Sequence, residues 1–197
     1  MSDNEQPARA LERFHKTLRG LMQASIRVDA SARQLDELST TLEQVVATMH
    51  RCSRDAIRKF DPDSVPGNMN TAMPYSPVSG HYNPLAADIH YFREGGRLCA
   101  DARFSELYEG PPGNVHGGII AGVFDQLLGM TALVHGQPGP TAYLNIQYKK
   151  PHPLGTTLRF CGEVERTEQR KVFIVGSCYA GDELLSLADG LFVRMDY

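Results

Sequence analysis

At 197 residues, 42% hydrophobic and 22% charged, the chain has room for one large domain, or for an ordinary domain plus an extension. A net charge of −3 leaves no electrostatic footprint for nucleic acid or an anionic membrane surface. Cys52, Cys99, Cys161 and Cys178 are scattered, with no C-x-x-C pair and no His at zinc-finger spacing. This spacing predicts reduced thiols, no disulfide framework and no metal site. The N-terminal MSDNEQPARALERF has no apolar core of a secretory signal, so a cytoplasmic address is expected.

Residues 1–60 read as an N-terminal helical extension. One apolar series runs Leu11, Phe14, Leu18, Leu21, Met22; a second runs Leu35, Leu38, Leu42, Val45, Met49, Cys52, Ala56. The 3-4-3-4 spacing of the second keeps a single stripe on one helix face. Asp29 or Ser31 is positioned to cap it. Two such helices need something to cover their stripes: each other, the main domain or a second subunit.

Residues 61–90 read as a linker or covering loop. Five of the chain's 12 prolines fall there (Pro62, Pro66, Pro74, Pro77, Pro84), which works against long regular elements. Residues 91–197 read as the main domain. A strand is expected within Arg97 to Tyr108, then a Gly110-Pro111-Pro112-Gly113 loop, a helix from Val115 to Val134, and four strands in succession. Ala142 to Tyr148 is the first of these. Leu158, Phe160 and Val164 alternate in the second, and Val172, Ile174, Gly176 and Cys178 share a face of the third. In the fourth Leu185, Leu187, Leu191, Val193 and Met195 are expected to do the same. Gly181-Asp182 suits a hairpin turn. The order predicts an α+β domain with an antiparallel sheet packed on a central helix.

The helix carries the chemistry. VHGGIIAGVFDQLLGMTALV is apolar all round except for Asp125, and contains no Lys or Arg to pair it. Such a helix is expected to be buried on every side, where a lone carboxylate costs several kcal/mol unless it is used. A central Asp costs roughly 2.5–3.5 kcal/mol in a bilayer, which argues against a membrane span. His116-Gly117-Gly118 opens the helix with unpaired amides and two residues that leave the backbone approachable. Amides there can hold an acyl-transfer oxyanion, while Asp125 can serve as general base or nucleophile. Asp125 follows His116 by nine residues, roughly 13 Å along the axis. One chain therefore cannot bring both to the same carbonyl, and a composite site between two subunits is expected.

GPPGNVHGGIIAGVFDQLLG followed by PTAYLNIQYKKPHPLG resembles the hotdog-fold acyl-CoA thioesterases, particularly the phenylacetate-pathway-type group and mammalian long-chain members. SPVSGHYNPLA and ERTEQRKVFIVGSCYAGDELLSLADGLFV resemble actinobacterial members of that group. The resemblance spans roughly residues 75–195. It implies a hotdog fold, with the antiparallel sheet wrapped around the long central helix, and active sites shared within a homodimer or dimer of dimers. It assigns Asp125 as the catalytic carboxylate, Gly117 as the oxyanion amide, His116 as loop support and Thr141 as a water-positioning hydroxyl. Gly118, Asn114, Asn145, Lys149, Lys150, Arg170 and Lys171 are candidate substrate-binding residues, the basic ones for CoA phosphates; His152 either joins these or sits in the Pro151-Pro153 turn. Many members carry Asn where this chain has Gly110, although the mammalian long-chain group also has Gly there.

Two functions follow. The first is hydrolysis of acyl-CoA to free acid and CoA in lipid metabolism, with no cofactor. The second is a non-catalytic acyl-CoA binder or sensor on the same fold. Hydratase chemistry lacks its His-plus-acid motif, and no G-x-S-x-G, phosphate loop or dinucleotide fingerprint is present.

Overall fold

The computed structural model describes residues 5–52 and 73–195. Ala56, Pro62, Pro66 and Gly67 lie outside them. Two helices open the chain, α1 (Glu5–Ser25) and α2 (Ala32–Arg51). Ser31 caps α2 in a full capping box: its hydroxyl accepts from the Gln34 amide, and the Gln34 side chain accepts from the Ser31 amide. α1 leans on the main domain. His15 stacks near Tyr82, Arg19 donates to the His81 carbonyl at 3.3 Å, and Arg27 pairs with Glu106.

Six antiparallel strands form one sheet in the order β1-β2-β4-β5-β6-β3. They are β1 (Asp88–Glu94), β2 (Arg97–Arg103), β3 (Thr141–Tyr148), β4 (Thr157–Glu168), β5 (Lys171–Ala180) and β6 (Glu183–Val193). The central helix α3 (Gly117–Val134) packs against one face, as the hotdog reading requires. β1 was not expected from sequence: it precedes the first anticipated strand and begins inside the stretch read as a linker. β1 reads DIHYFRE, whose mixed polarity suits an exposed edge rather than a core strand. Arg97 to Tyr108 divides into β2 and a 3₁₀ turn at Glu106–Tyr108.

A row of small residues lets α3 sit close to the sheet. Gly162 pairs with Gly176, which pairs with Ala188. A Cβ at Gly162 would lie 2.8 Å from Thr131 Oγ1, and one at Gly176 would lie 3.0 Å from Leu128 Cδ2. Phe124, Leu127 and Leu128 are fully buried over this row, each contributing about 2 kcal/mol.

The faces of β4 and β5 follow the expected alternation. β6 does not. Its core-facing residues are Ser186, Ala188, Gly190 and Phe192, while Leu187, Leu191 and Val193 lie half-buried on the outer face and Met195 is exposed. A register shift at Cys178/Tyr179 buries Leu185 out of phase with the rest.

The cysteine expectation is overturned. Cys99 and Cys161 form a disulfide, because β2 and β4 align them as direct cross-strand partners. Sequence spacing cannot report that register, and a disulfide gives no support to a reducing compartment. Among the described residues, Glu94 with these two cysteines forms a cluster at metal-ligand spacing, but both sulfurs are bonded to each other. Cys52 is exposed and Cys178 buried, the latter with its thiol pushed up to about 12 by desolvation. Unreduced protein should therefore yield one fast thiol when native and two when denatured, measured with a chromogenic disulfide reagent. Four thiols without reductant would disprove the pairing.

Candidate active site

α3 is not buried on every side. Sheet covers one flank, and a stripe of small residues (Gly118, Ala121, Gly122, Asp125, Gly129) runs along the other, with Gly118 and Asp125 exposed. Within one chain Asp125 is thus solvated rather than stranded in the core. Its apolar neighbours reflect packing on the sheet, and its own position falls on the open flank. α3 has the length and apolarity of a membrane span, yet eight of its residues are buried inside the domain.

Thr141 donates from Oγ1 to Asp125 Oδ1 at 2.8 Å. A β-bulge makes this possible. From Tyr143 onward, odd-numbered residues of β3 pair with Leu191, Asp189 and Leu187 on the outer face. The register slips between Thr141 and Tyr143, so Thr141 pairs with core-facing Phe192 and turns toward the helix. Beside it, Gln126 anchors the covering segment: Ser76 Oγ donates to Gln126 Oε1 at 2.9 Å. Val78 lies within 3.5 Å of where a Gly122 Cβ would be. The proline-containing loop therefore lies on α3 next to Asp125.

At the other end of the helix, His116 is the N-cap, with Nδ1 accepting from the Gly118 amide at 2.9 Å. The ring therefore carries its proton on Nε2. This use of the Gly118 amide removes it as a ligand donor. Gly117 is the first helical residue, so its amide has no acceptor within the helix. It remains the donor available to a bound oxygen. Tyr148, not anticipated from sequence, closes over this point: its hydroxyl donates to the Gly117 carbonyl at 2.8 Å. Burial raises the Tyr148 pKa above its usual value, which keeps it a neutral donor. An aromatic at the end of an edge strand carried no distinguishing signal in the sequence.

Gly110 is a close-contact position. A Cβ there would lie 2.7 Å from His116 Cα and 3.0 Å from His116 Cβ. Any Asn in its place would collide with the N-cap residue. Asn114 does not substitute for it, since its side chain donates to the Pro112 carbonyl inside the loop.

His152 is buried inside the domain. Its Nε2 lies 2.8 Å from Ser186 Oγ, and its carbonyl accepts from the Val115 amide, pinning the loop before His116. Desolvation lowers its pKa below 6.5. His15 is lowered too, by burial, then by Arg19 and His81. The unfolded chain takes up protons near pH 6.5 that the folded chain resists, so this stability is present above 6.5 and lost as pH falls below it. The melting temperature should decline from pH 7 to 5, and His152→Gln should make that decline shallower. An unchanged slope would remove His152 from this account.

The remaining candidates are dispersed. Asn145 Nδ2 donates to Asp189 Oδ2 at 3.0 Å on the outer face, away from α3. Lys149 Nζ donates to Gln147 Oε1, and Lys150 pairs with Glu183, near the Gly117 end. Arg170 donates to the Arg194 carbonyl, and Lys171 pairs in register with Val193, at the Asp125 end. All four cations are exposed. The eight residue steps from Gly117 to Asp125 separate the two ends by about 12 Å along the helix. In a single chain the carboxylate and the free amide remain apart.

Residues 112–186 match a family model described as the thioesterase superfamily. The whole fold, including the N-terminal helices, is similar to a crystal structure of a thioesterase superfamily protein. That match has 26% identity and a TM-score of 0.83, over 93% of this chain and 90% of that one. Curated thioesterase relatives include the acyl-coenzyme A thioesterase THEM4 of Rattus norvegicus, 40% identical over 90 residues, which are 45% of this chain and 39% of the relative. THEM4 of Xenopus laevis is 38% identical over 89 residues, 44% of this chain and 40% of the relative. The chain thus spans about two fifths of the length of the curated relatives it matches. A Streptococcus mutans protein bound to acetyl CoA shares the domain fold, with 19% identity and a TM-score of 0.52 over 55% of this chain and 89% of that one.

Proposed function

We propose that this protein hydrolyses an acyl-CoA thioester to free acid and CoA. The observation that carries the reading is Asp125, standing on the open flank of the central helix and held by Thr141. In the proposed reaction Asp125 removes a proton from water as the water oxygen attacks the thioester carbonyl. Asp125 acting directly as nucleophile, followed by hydrolysis of the anhydride, gives the same products. The carbonyl oxygen becomes an oxyanion held by the Gly117 amide at the positive end of α3. Collapse breaks the C–S bond, and the proton passes to the departing CoA thiolate. The naming of curated relatives as acyl-coenzyme A thioesterases supports the substrate class.

The proposal requires two chains. β3 is a sheet edge with most of its residues exposed, including Tyr143 and Tyr148. Exposed strand edges pair readily. Antiparallel pairing of β3 with a second copy exchanges its ends, so Thr141 and Asp125 of one chain meet Gly117 and Tyr148 of the other. Lys149 then reaches the same site as Arg170 and Lys171 of the second copy, a basic rim for CoA phosphates.

Thiol release should be measured over acyl-CoA substrates from acetyl to palmitoyl, with phenylacetyl-CoA included. Turnover of at least one is the expected result. Tight acyl-CoA binding without turnover of any would replace this reading with a non-catalytic binder.

A further inference from the structure

α2 is a capped, 20-residue helix that buries none of its side chains. Leu35, Leu38, Leu42, Val45, Val46 and Met49 form one stripe, each 39–49% exposed. Its polar side chains bond within the helix: Arg33 to Glu37, Thr40 to Asp36, Thr48 to Gln44. Most helical stability in proteins comes from packing an amphipathic face rather than from propensity. Yet the related crystal structure matches 93% of this chain, and the unmatched share is too short to omit all of α2. Among the described residues the stripe stays uncovered.

We infer that the cover is α2 of a second copy, packed antiparallel. Written as heptads, Leu35, Leu42 and Met49 occupy a positions, while Leu38, Val45 and Cys52 occupy d. An antiparallel two-fold centred between Glu43 and Gln44 matches every a with a d: Leu35 with Cys52, Leu38 with Met49, Leu42 with Val45. The stripe is therefore complementary to itself. The flanking e and g positions are Ser39, Thr41, Val46 and Thr48, with no charge to repel a copy. Off the seam, the same two-fold sets Asp36 level with Arg51 of the second copy. The stripe exposes on the order of 450 Å², at the upper end for a monomer's largest apolar patch. Two stripes together offer about 900 Å², the size of a small, weak interface.

The pairing is independent of the proposed chemistry and is tested with the full chain. In Leu35→Cys, mild oxidation should yield a covalent dimer joined between residue 35 of one copy and Cys52 of the other, located by peptide mass spectrometry. Cys52 is exposed, whereas Cys178 is buried and Cys99 is already bonded to Cys161. The wild-type chain should not cross-link. Adding Leu42→Asp should abolish the link and weaken association by at least about tenfold in sedimentation. It should leave any thioester hydrolysis unchanged. Links of 35 to 35 or 52 to 52 would overturn the antiparallel arrangement, and no link at all would overturn the pairing. Absence of a link, with Leu42-dependent binding to phosphatidylcholine–phosphatidylglycerol vesicles, would assign the stripe to a lipid surface instead.

Discussion

Asp125→Asn should lower kcat for acyl-CoA hydrolysis by about 10³-fold with KM little changed, because an amide neither accepts the water proton nor attacks the carbonyl. The side chain is exposed within its chain and the amide is isosteric, so folding should survive. Activity equal to wild type would remove Asp125 from the mechanism. Gly117→Pro supplies the complementary lesion. Proline deletes the amide donor but is tolerated at the first helical position. The preceding His116, at φ −61° and ψ 133°, already has the backbone that a following proline demands. Its cost should be about 10²–10³-fold in kcat. Neither variant works alone, but mixing them gives a direct test of the shared site. A heterodimer of the two holds one intact site and one doubly damaged site. Re-equilibrated equimolar mixtures should recover about a quarter of wild-type activity, the share expected for random pairing. No recovery on mixing would place both groups in one chain.

Gly110→Ala should destabilise the domain by about 2–3 kcal/mol and lower activity further than stability alone explains. The added methyl would lie 2.7 Å from His116 Cα, a backbone atom that has no rotamer to change. His116 can only yield by moving, and its ring carries the cap that orients the first turn of α3. The Gly117 amide moves with it. A substitution to Ala without loss of melting temperature would show that the loop has freedom its packing denies. This contact also explains why the chain lacks Asn at 110: the approach of the loop to the N-cap leaves no space for a side chain.

Much of the site was legible in the chain. His116 ahead of two glycines predicted a helix start with available amides, because a cap and its first turn involve only neighbouring residues. Asp125 was conspicuous, since an apolar helix offers no local reason to keep a carboxylate. Spacing along a regular helix already separated the two. Ser31 as a cap and the alternation of β4 and β5 were legible for the same reason: each depends on positions within one or two turns or pleats.

Other features depended on which strands meet and in what register. The polar mix of β1 concealed an edge strand, and Cys99 and Cys161 became partners only when β2 was laid against β4. Tyr148 reached the Gly117 carbonyl from an edge strand 31 residues away. Asp125 was expected to be enclosed, but the sheet wraps only one flank of its helix. Strict alternation would have put Thr141 on the outer face with Tyr143, Asn145 and Gln147. One inserted residue in β3 reversed that and delivered its hydroxyl to Asp125. The sequence by itself determined the central helix, its cap and its carboxylate, which arise from local periodicity. Only the tertiary structure decided what faces that carboxylate, because a single-residue slip in register exchanges the two faces of a strand.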